Sequence, residues 1–137
     1  MGRWKIALAV MFFFLFGGEL VLLIRSERTQ MLARRAQRIA ARLMDFAQDR
    51  AQLMQRNPKE SLPDYENRIS AVNSETQSLY ARQFYGQIAQ LRDEFARHGI
   101  ADRELDEFYR EPLYPIGIRE VGERLTTIAQ SLGSPGP

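Results

Sequence analysis

His98 is the sole histidine of the chain, and Glu94, one helical turn before it, and Asp102, just after it, are carboxylates that could join it at a divalent metal. A histidine near a helix end more commonly meets the exposed carbonyls and the dipole there, so a structural role is expected and no metal is assigned. Glu104, Glu107 and Glu111 fall on one side of a short helix with Asp106 nearby, which raises acid–base chemistry or calcium. No glycine-containing calcium loop accompanies them, and no apolar pocket is evident that would raise a carboxyl pKa. A solvated acidic face is the expectation.

Arginines form the next constellation. Arg25, Arg28, Arg34, Arg35, Arg38 and Arg42 follow an apolar run, where anionic head groups attract such side chains by about 1 kcal/mol for each charge near the surface. That attraction fades within a Debye length of about 8 Å, so lipid contact is expected of Trp4, Arg25 and Arg28, and a solvated face of the rest. Residues 25–56 carry eight arginines against Glu27, Asp45 and Asp49, whereas residues 57–137 carry nine basic and thirteen acidic side chains. A basic first half therefore precedes an acidic second half, and neither reads as a nucleic-acid binder. Among the aromatics, Tyr80, Phe84, Phe95, Phe108 and Tyr109 are expected in the core, and Tyr85 and Tyr114 fit the core face least and become candidate partner contacts.

The absence of cysteine excludes disulfides, thiol catalysis and cysteine-bound metal, and says nothing of the compartment. Catalytic-serine, phosphate-loop and dinucleotide patterns are missing, so the chain is not expected to be an enzyme or to carry a cofactor.

The elements that must position these residues begin with the run from Trp4 to Ile24. From Ile6 to Ile24 its only charge is Glu19, and at about 1.5 Å per residue it suffices to cross a hydrocarbon layer of about 30 Å. A retained, uncleaved signal anchor over residues 1–25 is expected, because a cut after Gly18 would place Phe16 where a signal peptidase needs a small residue. Glu19 within the span reaches toward the interface or contacts a partner, with Gly17 and Gly18 leaving room for a neighbouring helix. Five arginines after the span favour a cytoplasmic body and the short basic start favours export, so the side of the membrane stays open.

From Ser26 to Arg56 there is neither proline nor glycine, and Leu32, Ala36, Ile39, Leu43, Phe46, Arg50 and Leu53 recur at alternating steps of four and three. This spacing predicts a long helix continuing from the span, with a heptad seam that serves an imperfect coiled coil or one face of a bundle. Asn57 and Pro58 end it. Ser61, with Asp64 three positions on and Pro63 in the first turn, starts a second long helix that runs to His98 and stops at Gly99. Two such helices joined by a short link predict an antiparallel hairpin. Asp102 caps a short third helix ending near Glu111, and a last helix is expected from Ile118 to Leu132.

The fold expected is thus all-α: one N-terminal transmembrane helix continuing into a long helix, an antiparallel hairpin and two shorter C-terminal helices. Residues 26–132 would form the helical hairpin or bundle domain and residues 133–137 a disordered tail. Such a chain reads as a membrane-tethered helical interaction or scaffold module of the cell membrane, single-pass and self-associating or paired with another membrane protein. The other reading is a small-ligand or metal-sensing helical domain on a membrane anchor.

Overall fold

The computed structural model describes the backbone of residues 3–110, 112 and 114–133, and the side chains of that set from residue 27 onward. Among the described residues the architecture is all-helical, without strands.

Helix α1 spans Arg3–Gln52 without a break, so the expected continuity between the apolar run and the arginine-rich helix holds for the backbone. At about 1.5 Å per residue it is about 75 Å long. Among the described residues no helix is long and apolar enough to cross a membrane. The run Trp4 to Ile24, with Glu19, and Arg25 after it, lie outside the described side chains, and only their backbone helix is given.

Helix α1 ends four residues before the expected Arg56. The cause is tertiary: the Arg68 guanidinium donates to the Leu53 carbonyl and, at 2.7 Å, to that of Gln55, while the Tyr65 hydroxyl donates to Met54 O at 3.3 Å. Carbonyls that would otherwise continue the ladder or meet water are instead held by the returning helix.

That helix, α2 (Leu62–Tyr80), starts where local chemistry predicts, with Ser61 Oγ accepting from Asp64 N at 3.3 Å and proline in the first turn. A π-helical turn, Ala81–Tyr85, then joins it to α3 (Gly86–Arg97). Val72, Thr76, Tyr80, Phe84 and Ile88 follow one another at steps of four. In a regular α-helix each such step rotates the face by about 40°, which accumulates to about 160° over the series. A π turn accommodates one additional residue and cancels about 100° of that drift, so Thr76, Tyr80, Phe84 and Ile88 are all buried. Gly99, at φ +73°, ends α3 with its N–H on Ala96 O and the Ile100 N–H on Phe95 O.

Helix α4 (Arg103–Phe108) is capped by Asp102, whose Oδ1 accepts from Leu105 N at 2.9 Å. Helix α5 (Tyr114–Gly133) starts four residues before the expected Ile118 and includes Gly133, expected in the tail; it is no shorter than α2. Pro115 belongs to its first turn, where a proline N–H is not needed.

Arg35–Glu94, Arg42–Gln87 and Arg50–Thr76 form successive rungs between α1 and the returning helix, as the antiparallel hairpin requires. The main partner of α1 is nevertheless α5. Ala33, Ala36, Ala40 and Ala47 on α1 and Gly122 and Ala129 on α5 are buried small residues that allow close approach. A Cβ on Gly122 would lie 3.3 Å from the Ala40 carbonyl oxygen and 3.0 Å from Met44 Cγ.

The heptad seam is therefore filled inside the chain. Leu32, Ala36, Ile39 and Leu43 are core residues beside Tyr80, Phe84, Ile88, Leu91, Phe95, Ile118, Val121 and Leu125, and only Leu53 at its far end is exposed. Of the two readings of this spacing, one face of a bundle accounts for it. Arg50, only 8% exposed, fits because Nε donates to Thr76 Oγ1 at 2.8 Å and the guanidinium meets Glu75.

Candidate functional site

The rungs of the hairpin bring the carboxyl end of α3 back beside residues 28–38 of α1. There, Arg28, Arg34, Arg35, Arg38 and Arg97 line a cleft of about 980 Å³ in which Glu94 is the one carboxylate among the described residues. Arg35 pairs with Glu94. Arg28, Arg34, Arg38 and Arg97 are exposed and make no hydrogen bond or ion pair among the described residues. Elsewhere in the bundle Arg50, Arg68, Arg92, Arg119 and Arg124 each face a carboxylate, and Arg42, Arg56, Arg82, Arg103 and Arg110 form no ion pair among the described residues, so what sets the cleft apart is that four arginines without ion pairs line one cavity.

His98 belongs to this cleft, but its Nδ1 lies 2.9 Å from Glu94 O, the helix-end contact expected of it. Asp102 faces Arg124 instead, and the Glu94 carboxylate faces Arg35, so the three residues do not converge on a metal. Among the described residues no three metal-binding side chains are so grouped. The Arg124 guanidinium beside Asp102, aided by the Leu105 N–H, holds the Asp102 carboxyl below its usual range.

Elsewhere on the bundle, α4 and α5 enclose a groove of about 360 Å³ lined by Glu104, Glu120 and Glu123 with Phe108 and Arg124. Its charge is opposite to that of the α1–α3 cleft. Glu104 lies 3.5 Å from Arg124, and Glu107 is exposed, as a solvated acidic face requires; Glu111 lies outside the described residues.

Of the two tyrosines singled out as contacts, Tyr85 is 37% exposed and stacks on Tyr109 with ring centroids 5.7 Å apart. The other face of this cluster is cationic: Arg92 lies 4.1 Å over the Tyr109 ring and Arg110 Nε donates to its hydroxyl at 3.1 Å. The Arg110 hydrogen bond lowers the Tyr109 pKa, whereas burial pushes that of Tyr80 well up, its hydroxyl donating to Tyr109 O at 2.5 Å. Tyr85 is thus a packing residue with one open edge. Tyr114 is 56% exposed and has φ +66°, a conformation that costs a bulky side chain about 1–2 kcal/mol. Two residues on, Ile116 is 72% exposed.

Sequence reading missed Arg97 and Ile116, and Phe108, expected in the core, is instead 42% exposed on the acidic groove. Arg97 becomes visible only once the hairpin is folded in register, since it lies far from Arg28 and Arg34 in the chain. Ile116 carries a weaker signal, an apolar residue between Pro115 and Gly117 that is out of step with the stripe of α5. Compared with known protein families, with curated proteins and with solved structures, the chain matches none.

Proposed function

We propose that this chain is a membrane-tethered helical interaction or scaffold module, rooted in the bilayer by Trp4 to Ile24 and presenting a compact bundle to a second membrane protein or a second copy. The observation that carries the reading is the unbroken backbone of α1, whose apolar start and core-forming second half belong to one helix. A bundle attached in this way has no flexible linker, so it is held at a set height and orientation over the surface in which the helix begins.

With the seam of α1 occupied by α3 and α5, a partner has to use another surface. Tyr114 and Ile116 at the start of α5 are the best candidates, because both are large, apolar and open to solvent. Tyr114 also keeps a conformation that its own backbone disfavours, as residues held for contact often do.

Membrane attachment is tested by alkaline carbonate extraction of membranes containing the full chain; release into the supernatant defeats the reading. Lys59→Cys then supplies a single exposed thiol in a chain without cysteine. Labelling of intact cells by an impermeant reagent places the bundle outside, and labelling only after lysis places it inside. For the contact surface, Tyr114→Ala with Ile116→Ala is expected to lower in-membrane cross-linking yield at least five-fold while the melting temperature moves by only a few degrees. Unchanged cross-linking removes this surface from the proposal.

A further inference from the structure

We infer that the cleft between α1 and the end of α3 is a binding site for the phosphate head group of an anionic phospholipid, clamped by Arg28, Arg34 and Arg97. This inference rests on the membrane-tethered reading above and gives the bundle a second attachment to the same bilayer.

Three observations carry it. The first is electrostatic: among the described residues five arginines line the cleft against one carboxylate, Glu94, and Arg28, Arg34, Arg38 and Arg97 are unpaired. A guanidinium presents two parallel N–H groups that match two phosphate oxygens, so arginine suits this ligand better than a mere point charge would.

The second is position. Counting from Ile24 at about 1.5 Å per residue, Arg28 lies about 6 Å and Arg34 about 15 Å along α1. The head-group layer is about 5–7 Å deep on each side of the hydrocarbon, and helical side chains lean toward the helix N-terminus, here toward the bilayer. Arg28 therefore lies within the layer and Arg34 reaches down to it. The Arg35–Glu94 rung brings Arg97 to the same end, and an ordinary tilt of α1 of about 20° toward α3 lowers it further. Arg38 is too distant to share a head group and serves the field only.

The third is that the negative end of α3, which would repel an anion, is already covered. The N–H groups of His98 and Ile100 occupy Phe95 O, that of Gly99 occupies Ala96 O, and the His98 ring meets Glu94 O. The Arg97 guanidinium is the cationic group of this turn that lines the cleft.

The test uses the full chain in nanodiscs of equal phosphatidylcholine and phosphatidylglycerol, with the retained lipids counted by native mass spectrometry. Wild type is expected to retain phosphatidylglycerol at least five-fold over phosphatidylcholine, and Arg34→Gln with Arg97→Gln to reduce that preference by about five-fold for each arginine removed, until none remains. Arg56→Gln with Arg82→Gln removes the same charge from exposed positions outside the cleft and should keep the preference. Wild type without preference, or equal loss in both double variants, overturns the cleft while leaving the tether intact. Inorganic phosphate that raises the melting temperature in neutral-lipid nanodiscs as much as phosphatidylglycerol does would make this a soluble-anion site and overturn the lipid assignment. A chain that fails to enter nanodiscs and is extracted by carbonate overturns the tether, and this inference with it.

Discussion

At Asp102 one carboxylate both caps α4 and holds the Arg124 guanidinium of α5, so a single side chain ties the connection after the hairpin to the last helix. Because that pairing lowers the Asp102 pKa in the folded chain relative to its ordinary 3.8, its contribution is complete above that value and is lost as pH falls below it. Urea unfolding at a series of pH values is therefore expected to show wild type losing stability on acidification below about pH 4. Asp102→Asn, which still caps a helix but carries no charge, should be less stable at pH 6 and show a smaller loss between pH 6 and pH 3. Equal slopes in the two proteins would mean that the ion pair contributes nothing. Glu60 behaves in the same direction because of Arg68, so the variant reduces the acid sensitivity without abolishing it.

Among the elements, the joint between α2 and α3 makes the sharpest prediction. If the π turn exists to absorb one residue, deleting exposed Gln83 within it should convert the joint to regular α-helix and leave Tyr80 on one side, and Phe84 and Ile88 on the other, facing the same core. Circular dichroism melting is expected to place this deletion within a few degrees of wild type. Deleting exposed Glu123 from α5, which has no such turn, rotates Leu125, Ile128 and Ala129 by about 100° away from α1 and should abolish the cooperative transition. A Gln83 deletion as damaging as the Glu123 one would show that the π turn is needed for itself.

Which parts of these elements are legible in the sequence follows from where their causes lie. Ser61, Pro63, Gly99 and Asp102 act through the backbone a few residues away, and their starts and stops can be read directly. The early end of α1 depends on Arg68 and Tyr65 arriving from the next helix, and the early start of α5 on a turn with Tyr114 at positive φ, which no tyrosine announces. The seam of α1 was visible as a spacing, but spacing does not say whether the complementary face belongs to another chain or to residues 114–133 of the same one. For the cleft, Arg28 and Arg34 could be named from their place after the apolar run, whereas Arg97 required the hairpin register.

Across the whole molecule, α1 is at once tether and scaffold. In the tethered reading, the stretch from Ile24 to Gln52 places the hairpin turn about 42 Å from the hydrocarbon boundary when the helix stands upright. Energy transfer from a dye at Lys59→Cys to labelled head groups should report one narrow distance of that order or, with tilt, somewhat less. Glu27→Pro interrupts the helix before the first core residue, Leu32, and should broaden the distribution while leaving the melting temperature of the bundle within a few degrees. A narrow distribution in both proteins would point to a second attachment strong enough to hold the bundle without the helix, as the arginine cleft would provide.

The close pairing of α1 with α5 also sets an order of events at the ribosome. Helix α1 is synthesised well before α5, its main partner, so Ala33, Ala36, Ala40 and Ala47 await their neighbours until Gly122 and Ala129 have been translated. During that interval α2 and α3 cover only part of the nascent stripe, and what is left uncovered is open to chaperones and to other unfinished copies. A chain stopped after Arg110 freezes that stage: it should be helical yet bind a hydrophobic dye and aggregate, and a separate peptide of residues 112–133 added in trans should restore solubility.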